Sequence, residues 1–121
     1  MEAILDSSFI ISCMKKKVDF ISQLEDQGFR VMLPREVFQE LKDLRFKVRH
    51  AERAAIDAAF DLFILRNVKK MTLGHKIVDR GLIAKGKSGA YIATLDAAIK
   101  REVPNRIVLV DSQNSIGVER D

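Results

Sequence analysis

Four acidic residues, far apart along the chain, stand where a fold has little structural use for a charge: Asp6, Glu40, Asp79 and Asp96. Asp6 directly follows the apolar run Ala3-Ile4-Leu5. Asp96 lies two residues past Thr94, at the end of the apolar stretch Ala90 to Thr94 (AYIAT). A carboxylate at the end of a buried strand has lost water and needs a partner. If Asp79 sits on a helix, at about 100° per residue it projects between Leu82 and Ile83, on the apolar side. Glu40 falls about 40° from Leu44 and about 60° from Val37, at the border of an apolar stripe. Both acids are therefore expected to be half-buried and aimed inward.

Inward acids without an equal set of inward bases repel one another and raise each other's pKa. A divalent cation resolves that conflict, and a donor set made only of oxygen favours Mg²⁺ or Mn²⁺ over zinc. The two histidines and the single cysteine, Cys13, have no convincing zinc spacing. Such an ion, held by acids in a basic protein, suits phosphodiester hydrolysis, with lysines and arginines holding the substrate strand. Taken singly, Asp96 suits a helix cap and Asp111 a terminal turn, while Glu40 suits an ordinary border position. Their coincidence favours a site.

The elements needed to position these acids can be traced along the chain. Residues 3–5 form a short buried strand ending at Asp6. Asp19 caps a helix over about 20–27 that stops at Gly28. Arg30 to Leu33 (RVML) is a second strand. Pro34 suits the first turn of a helix carrying Val37, Leu41, Leu44 and Val48. Residues 50–66 are an alanine-rich helix, and 69–72 a brief strand or loop. His75 to Lys85 is expected to be helical. Ala90 to Thr94 is then a strand, Asp96 to Glu102 a helix and Arg106 to Val110 (RIVLV) a final strand. The polar tail after about residue 111 is expected to be loose. Strands alternating with helices predict an α/β fold: a five-stranded parallel sheet with helices on both faces. Its strands deliver Asp6, Asp96 and Asp111 to one edge, where such folds bind ligands.

A chain of 121 residues makes a single domain, 1–121, large enough for a core of its own. Hydrophobic residues make up 47% and charged residues 31%, a globular composition rather than a disordered one. One cysteine allows no internal disulfide, in keeping with a reducing compartment. No stretch reaches the roughly 18 apolar residues of a membrane span, and the N-terminus lacks a signal-peptide pattern, so a cytoplasmic protein is expected. The net charge of +4 comes from basic groups such as Lys15-Lys16-Lys17, Arg45 to Arg53 and Lys69-Lys70. That balance favours an anionic partner, nucleic acid above all.

In this order, "ILDSSFII", "LPREVFQEL", "KIVDRGLI" and "YIATLDAAIKR" resemble the PIN-domain ribonucleases, which include VapC-type toxins and ribosome-processing endonucleases. The likeness spans about residues 3–111. Its most specific pieces are Asp6-Ser7-Ser8 and Thr94-Leu95-Asp96. The resemblance implies a five-stranded parallel α/β/α fold, a Mg²⁺ or Mn²⁺ site and endonucleolytic cleavage of single-stranded RNA. It implies Asp6 and Asp96 as the main metal ligands and Asp79 as a further or second-ion ligand. Glu40 would hold the attacking water, with Ser8 and Thr94 as supporting hydroxyls and Asp111 as a fifth acid. An antitoxin or ribosomal partner, or a homodimer, follows from the same resemblance. Two departures stand out: a short helical stretch between Glu40 and Asp79, and Arg80 placed to pair with Asp79.

Two other readings compete. One is a non-catalytic RNA-binding scaffold of the same fold; retention of all four acids speaks against it. The other is a nucleotide binder, because Gly81 to Ser88 (GLIAKGKS) matches the phosphate-loop pattern G-x-x-x-x-G-K-S/T. That loop works between a strand and a helix, whereas here a helix is expected before it and a strand after. A receiver-like regulatory domain is a weaker fit, since Asp6 is followed by serines rather than a second acid.

Overall fold

The computed structural model describes all 121 residues. The elements follow one another as β1 (Glu2–Leu5), α1 (Ser7–Lys15), α2 (Phe20–Asp26), β2 (Arg30–Pro34), α3 (Arg35–Leu44) and α4 (His50–Leu65). The second half runs β3 (Lys69–Met71), α5 (Val78–Lys87), β4 (Tyr91–Ala93), α6 (Ala97–Glu102), β5 (Asn105–Val110) and β6 (Ser115–Arg120). One sheet contains every strand, in the order β3-β2-β1-β4-β5-β6. The first five are mutually parallel, and β6 pairs antiparallel with β5.

Strand alternation divides the core in two. Ala3, Leu5, Val31, Leu33, Tyr91, Ala93 and Ile107 point to one face, where they pack with buried residues of α1 to α4 such as Phe9, Leu24, Leu41 and Ile56. Ile4, Met32 and Ile92 point to the other, against Leu82 of α5 and Ile99 of α6. Burial on both faces explains why the central strands β1, β2 and β4 read as continuous apolar runs rather than alternating ones. No helix is long and apolar enough to cross a membrane.

The chain steps outward from β1 to β2 and β3, then returns to the other side of β1 as β4. The strand order therefore reverses between β1 and β4. Ligand crevices in open α/β sheets form at such a reversal, beyond the carboxyl ends of the strands.

Three features differ from the sequence expectation. Residues 7–15 form helix α1, which hydrophobic patterning did not reveal because Phe9-Ile10-Ile11 prolongs the apolar run of β1. Asp6 settles the boundary by capping the helix: its Oδ1 accepts the Ser7 N–H at 2.8 Å. Helix α5 begins at Val78 rather than His75, since Gly74 adopts φ +75 and residues 72–77 form a loop. The tail beyond residue 111 is not loose. A 3-10 turn over Asp111–Gln113 leads to Asn114 in the left-handed region, and the chain reverses into β6. Ile116 and Val118, two apart on that strand, then face the larger core.

The phosphate-loop match has the helix-then-strand order expected of it. Residues 81–87 lie inside α5, with β4 following, so the backbone N–H groups are spent on the helix rather than turned toward a phosphate. Gly86 is there for packing: a Cβ at this position would meet Val103 Cγ1 at 2.4 Å. Gly81 does the same against Leu73, where a Cβ would come within 2.8 Å of the Leu73 Cβ.

Candidate active site at the β1–β4 edge

Among buried residues, only two have polar or charged side chains, Asp6 (6% exposed) and Thr94 (0%), and they bond to each other. Thr94 Oγ1 donates to Asp6 Oδ2 at 2.7 Å. The Ser8 hydroxyl donates to the same oxygen at 3.1 Å, while the Ser7 N–H occupies Oδ1. Asp6 is thus fixed by three donors at the strand-order reversal. The backbone reinforces the join, since the Asp6 N–H donates to the Ala93 carbonyl at 2.9 Å.

Asp96 reaches this network through its backbone. Its N–H donates to Thr94 Oγ1 at 3.0 Å, so one hydroxyl links the ends of β1 and β4. Its side chain caps α6: Oδ1 accepts from the Ala98 and Ile99 N–H groups at 2.8 and 3.4 Å. The cap expected as an ordinary role for Asp96 is present. It engages Oδ1 only.

Glu40 approaches from α3. The Ser7 hydroxyl donates to its Oε1 at 2.6 Å, tying the first residue of α1 to the neighbouring helix. Half-burial raises the Glu40 pKa above its usual 4.5; the Ser7 bond opposes this, and the charges of Asp6 and Asp79 add to it. Burial likewise raises Asp6 above 3.8, against the bonds from Thr94, Ser7 and Ser8, and the Asp79 charge pushes the same way. Asp6, Glu40 and Asp79 therefore share one electrostatic neighbourhood. Asp79 itself is exposed, not half-buried as its helical angle suggested. The late start of α5 places it in the first turn, where Val78 and Leu82 turn inward instead.

No three acidic, histidine or cysteine side chains are gathered tightly enough to cage an ion as they stand. Carboxylates without a cation between them repel, and spreading apart is their low-energy arrangement. The donor chemistry still fits a hard cation: every candidate ligand is a carboxylate oxygen, with hydroxyls behind it.

Asp111 is not brought in. It pairs with Lys16 at the far end of α1, about 15 Å along that helix from Asp6 at its start. Arg80 is not engaged with Asp79 but lines a neighbouring groove with His75 and Lys87. Cys13 is buried and its thiol pushed up to about 12 by that burial, which removes it as a nucleophile.

Two contributions escaped the sequence reading. Glu36, one helical turn before Glu40, accepts the Leu73 N–H with both oxygens (3.0 and 3.1 Å) and the Gly74 N–H at 3.3 Å. It clamps the loop that leads into α5, the helix that carries Asp79. Its signal was the four-residue interval to Glu40 in "REVFQEL", which puts both on one helix face. Ser7 is the second: beside Ser8 in the Asp6-Ser7-Ser8 run, it holds the Glu40 carboxylate. Beside Glu40 lies an open groove of about 500 Å³, lined also by Glu36, Asp43, Lys47 and Lys76.

Among solved structures, the PIN domain endonuclease Utp24 matches with a TM-score of 0.75, over 99% of this chain and 92% of that one. The fold is that of a PIN domain. Sequence identity in the alignment is 21%, so the likeness lies in the fold and not in the side chains. No family model and no curated protein sequence matches the chain. Within the PIN fold, the sixth, antiparallel strand extends the expected five-stranded parallel sheet at the β5 edge.

Proposed function

We propose that this PIN-fold chain is a metal-dependent endoribonuclease acting on single-stranded RNA. One observation carries the reading: a buried carboxylate, Asp6, held by three donors at the strand-order reversal, in the fields of Glu40 and Asp79. Keeping an acid buried against its own pKa costs stability, and such investments cluster at functional sites. Asp6, Asp79 and the uncommitted Oδ2 of Asp96 would hold Mg²⁺ or Mn²⁺. When bound, the ion supplies Lewis-acid stabilisation of the charge that builds on the scissile phosphate.

The protein's own groups do the rest. Glu40, a stronger base than a free carboxylate because half-burial raises its pKa, would take the proton from an attacking water. Ser7 holds that carboxylate in place, and Thr94 keeps Asp6 and the start of α6 in register. Lys47 and Lys76, lining the groove beside Glu40, would bind phosphates flanking the cleaved bond.

A 5′-labelled single-stranded RNA incubated with millimolar Mg²⁺ or Mn²⁺ tests the proposal. Cleavage that chelation stops, and that Asp6→Asn and Asp96→Asn abolish while RNA still binds, supports it. Wild-type protein that binds RNA but cuts none with either metal overturns it in favour of a scaffold. Normal cleavage by Asp6→Asn would show the site to be wrongly placed.

A further inference from the structure

On the far edge of the sheet, β3 pairs only with β2, which leaves its outer backbone groups without a strand partner. Beside that edge, Phe38 of α3, Phe60, Phe63 and Ile64 of α4, and Val68 line an apolar pocket of about 310 Å³ with Lys70 at its rim. Phe38 and Phe60 pack with ring centroids 5.0 Å apart, and Ile64 is 80% exposed. Two ammonium groups face the Phe38 ring, Lys70 at 4.3 Å and Lys42 at 4.9 Å from its centroid. None of the ion pairs in the molecule engages Lys42, Lys69 or Lys70.

Each feature has a plain alternative. Lysines on a sheet edge discourage pairing with another edge, and single exposed apolar residues are ordinary. Their combination is more selective. A second copy offering the same edge would set Lys69 and Lys70 against their own counterparts, and like charges across a strand pair are destabilising. A segment carrying carboxylates would instead gain charge complementarity, and its backbone would satisfy the open edge.

We propose that the β3 edge and the Phe38–Phe60 pocket together form a docking site for an acidic polypeptide segment. The segment adds as a strand beside β3. Side chains on a strand alternate between faces, and Lys70 lies on the pocket face while Met71 lies with the smaller core. A large apolar residue opposite Lys70 therefore drops into the pocket, and flanking carboxylates meet Lys42, Lys69 and Lys70. The site lies on the other side of α3 from Glu40 and is independent of the nuclease proposal.

The probe is the acetylated peptide Glu-Asp-Glu-Phe-Glu-Asp-Glu, titrated into ¹⁵N-labelled full-length protein. Amides of Lys69, Lys70, Met71, Val68 and Ile64 should shift, and affinity should fall about tenfold in Lys70→Glu and about tenfold when serine replaces the phenylalanine of the peptide. Lys70→Glu changes an exposed charge, and its own spectrum verifies its fold. Absence of shifts at millimolar peptide, shifts elsewhere, or equal binding of a lysine-for-acid peptide would overturn the proposal. So would decauridylate moving the same amides, which marks a nucleic-acid surface, or the same amides moving with protein concentration alone, which marks a dimer.

Discussion

The hydroxyl of Thr94 stands between two acids: it donates to the Asp6 carboxylate at 2.7 Å and accepts the backbone N–H of Asp96 at 3.0 Å. That single atom joins the ends of β1 and β4, where the strand order reverses. Thr94→Val keeps the shape and removes both bonds, leaving a buried carboxylate short of a donor. The expected loss is about 1–3 kcal/mol in urea unfolding, with Thr94→Ser falling below about 1 kcal/mol.

Asp6 gives the metal-free protein a definite pH response. Its folded pKa is raised, above all by burial, so the folded state holds the proton more tightly than the unfolded chain. Stability from this group is full below about pH 3.8, the unfolded value, and is lost as pH rises through the folded pKa. Glu40 acts in the same direction from 4.5 upward. Asp6→Asn removes the charge, so without metal its melting temperature should exceed the wild type's at pH 7 by a few degrees. The gap should close as the pH falls toward 4. A wild type more stable than the variant at pH 7 without metal would contradict this.

The loop into α5 depends on Glu36. Burial pushes this carboxyl up, but bonds from the Leu73, Glu36 and Gly74 N–H groups outweigh that and leave it lowered. Its contribution is therefore present above 4.5 and disappears as pH falls through the folded value. Glu36→Ala should cost about 1 kcal/mol and speed hydrogen exchange at Leu73 and Gly74. By loosening the loop into the helix that carries Asp79, it should also slow RNA cleavage about tenfold with little change in KM.

Gly86 tests the helical reading of the phosphate-loop match. A methyl group here collides with Val103 and approaches Ile92 at 3.1 Å, so Gly86→Ala should cost about 1–3 kcal/mol. Lys87 is exposed, with one loose pair to Glu102 at 3.6 Å, and Lys87→Ala should stay within about 0.5 kcal/mol of wild type. ATP should protect neither. ATP-dependent stabilisation lost in Lys87→Ala would reverse the interpretation.

How much of this was legible in the sequence depended on the kind of signal. Apolar runs ending at Asp6 and Thr94 exposed the parallel sheet and the edge at which those two residues meet, because strands buried on both faces leave an unbroken pattern. Helix α1 was hidden by the same rule, since Phe9, Ile10 and Ile11 continue the run past the Asp6 cap. Glu40 lay as its angle on α3 implied. Asp79 did not, since a start shifted by three residues puts it in an exposed first turn. Asp111 shared a strand-end position with Asp6 and Asp96, yet β5 runs on past the register of β4 and delivers it to Lys16 instead. The tail escaped as well: a strand that pairs back on its predecessor needs only Ile116 and Val118 on its inner face, too short a pattern to stand out.

We propose that carboxylates from the end of β1, from α5 and from the start of α6 share one divalent ion. Titrating Mn²⁺ into ¹⁵N-labelled protein and following paramagnetic line broadening tests it most directly. Saturable broadening centred on the amides of Ser7, Asp79 and Leu95 is expected in the wild type, with its loss in Asp6→Asn. Broadening that centres on another surface, or that persists unchanged in Asp6→Asn, would contradict it.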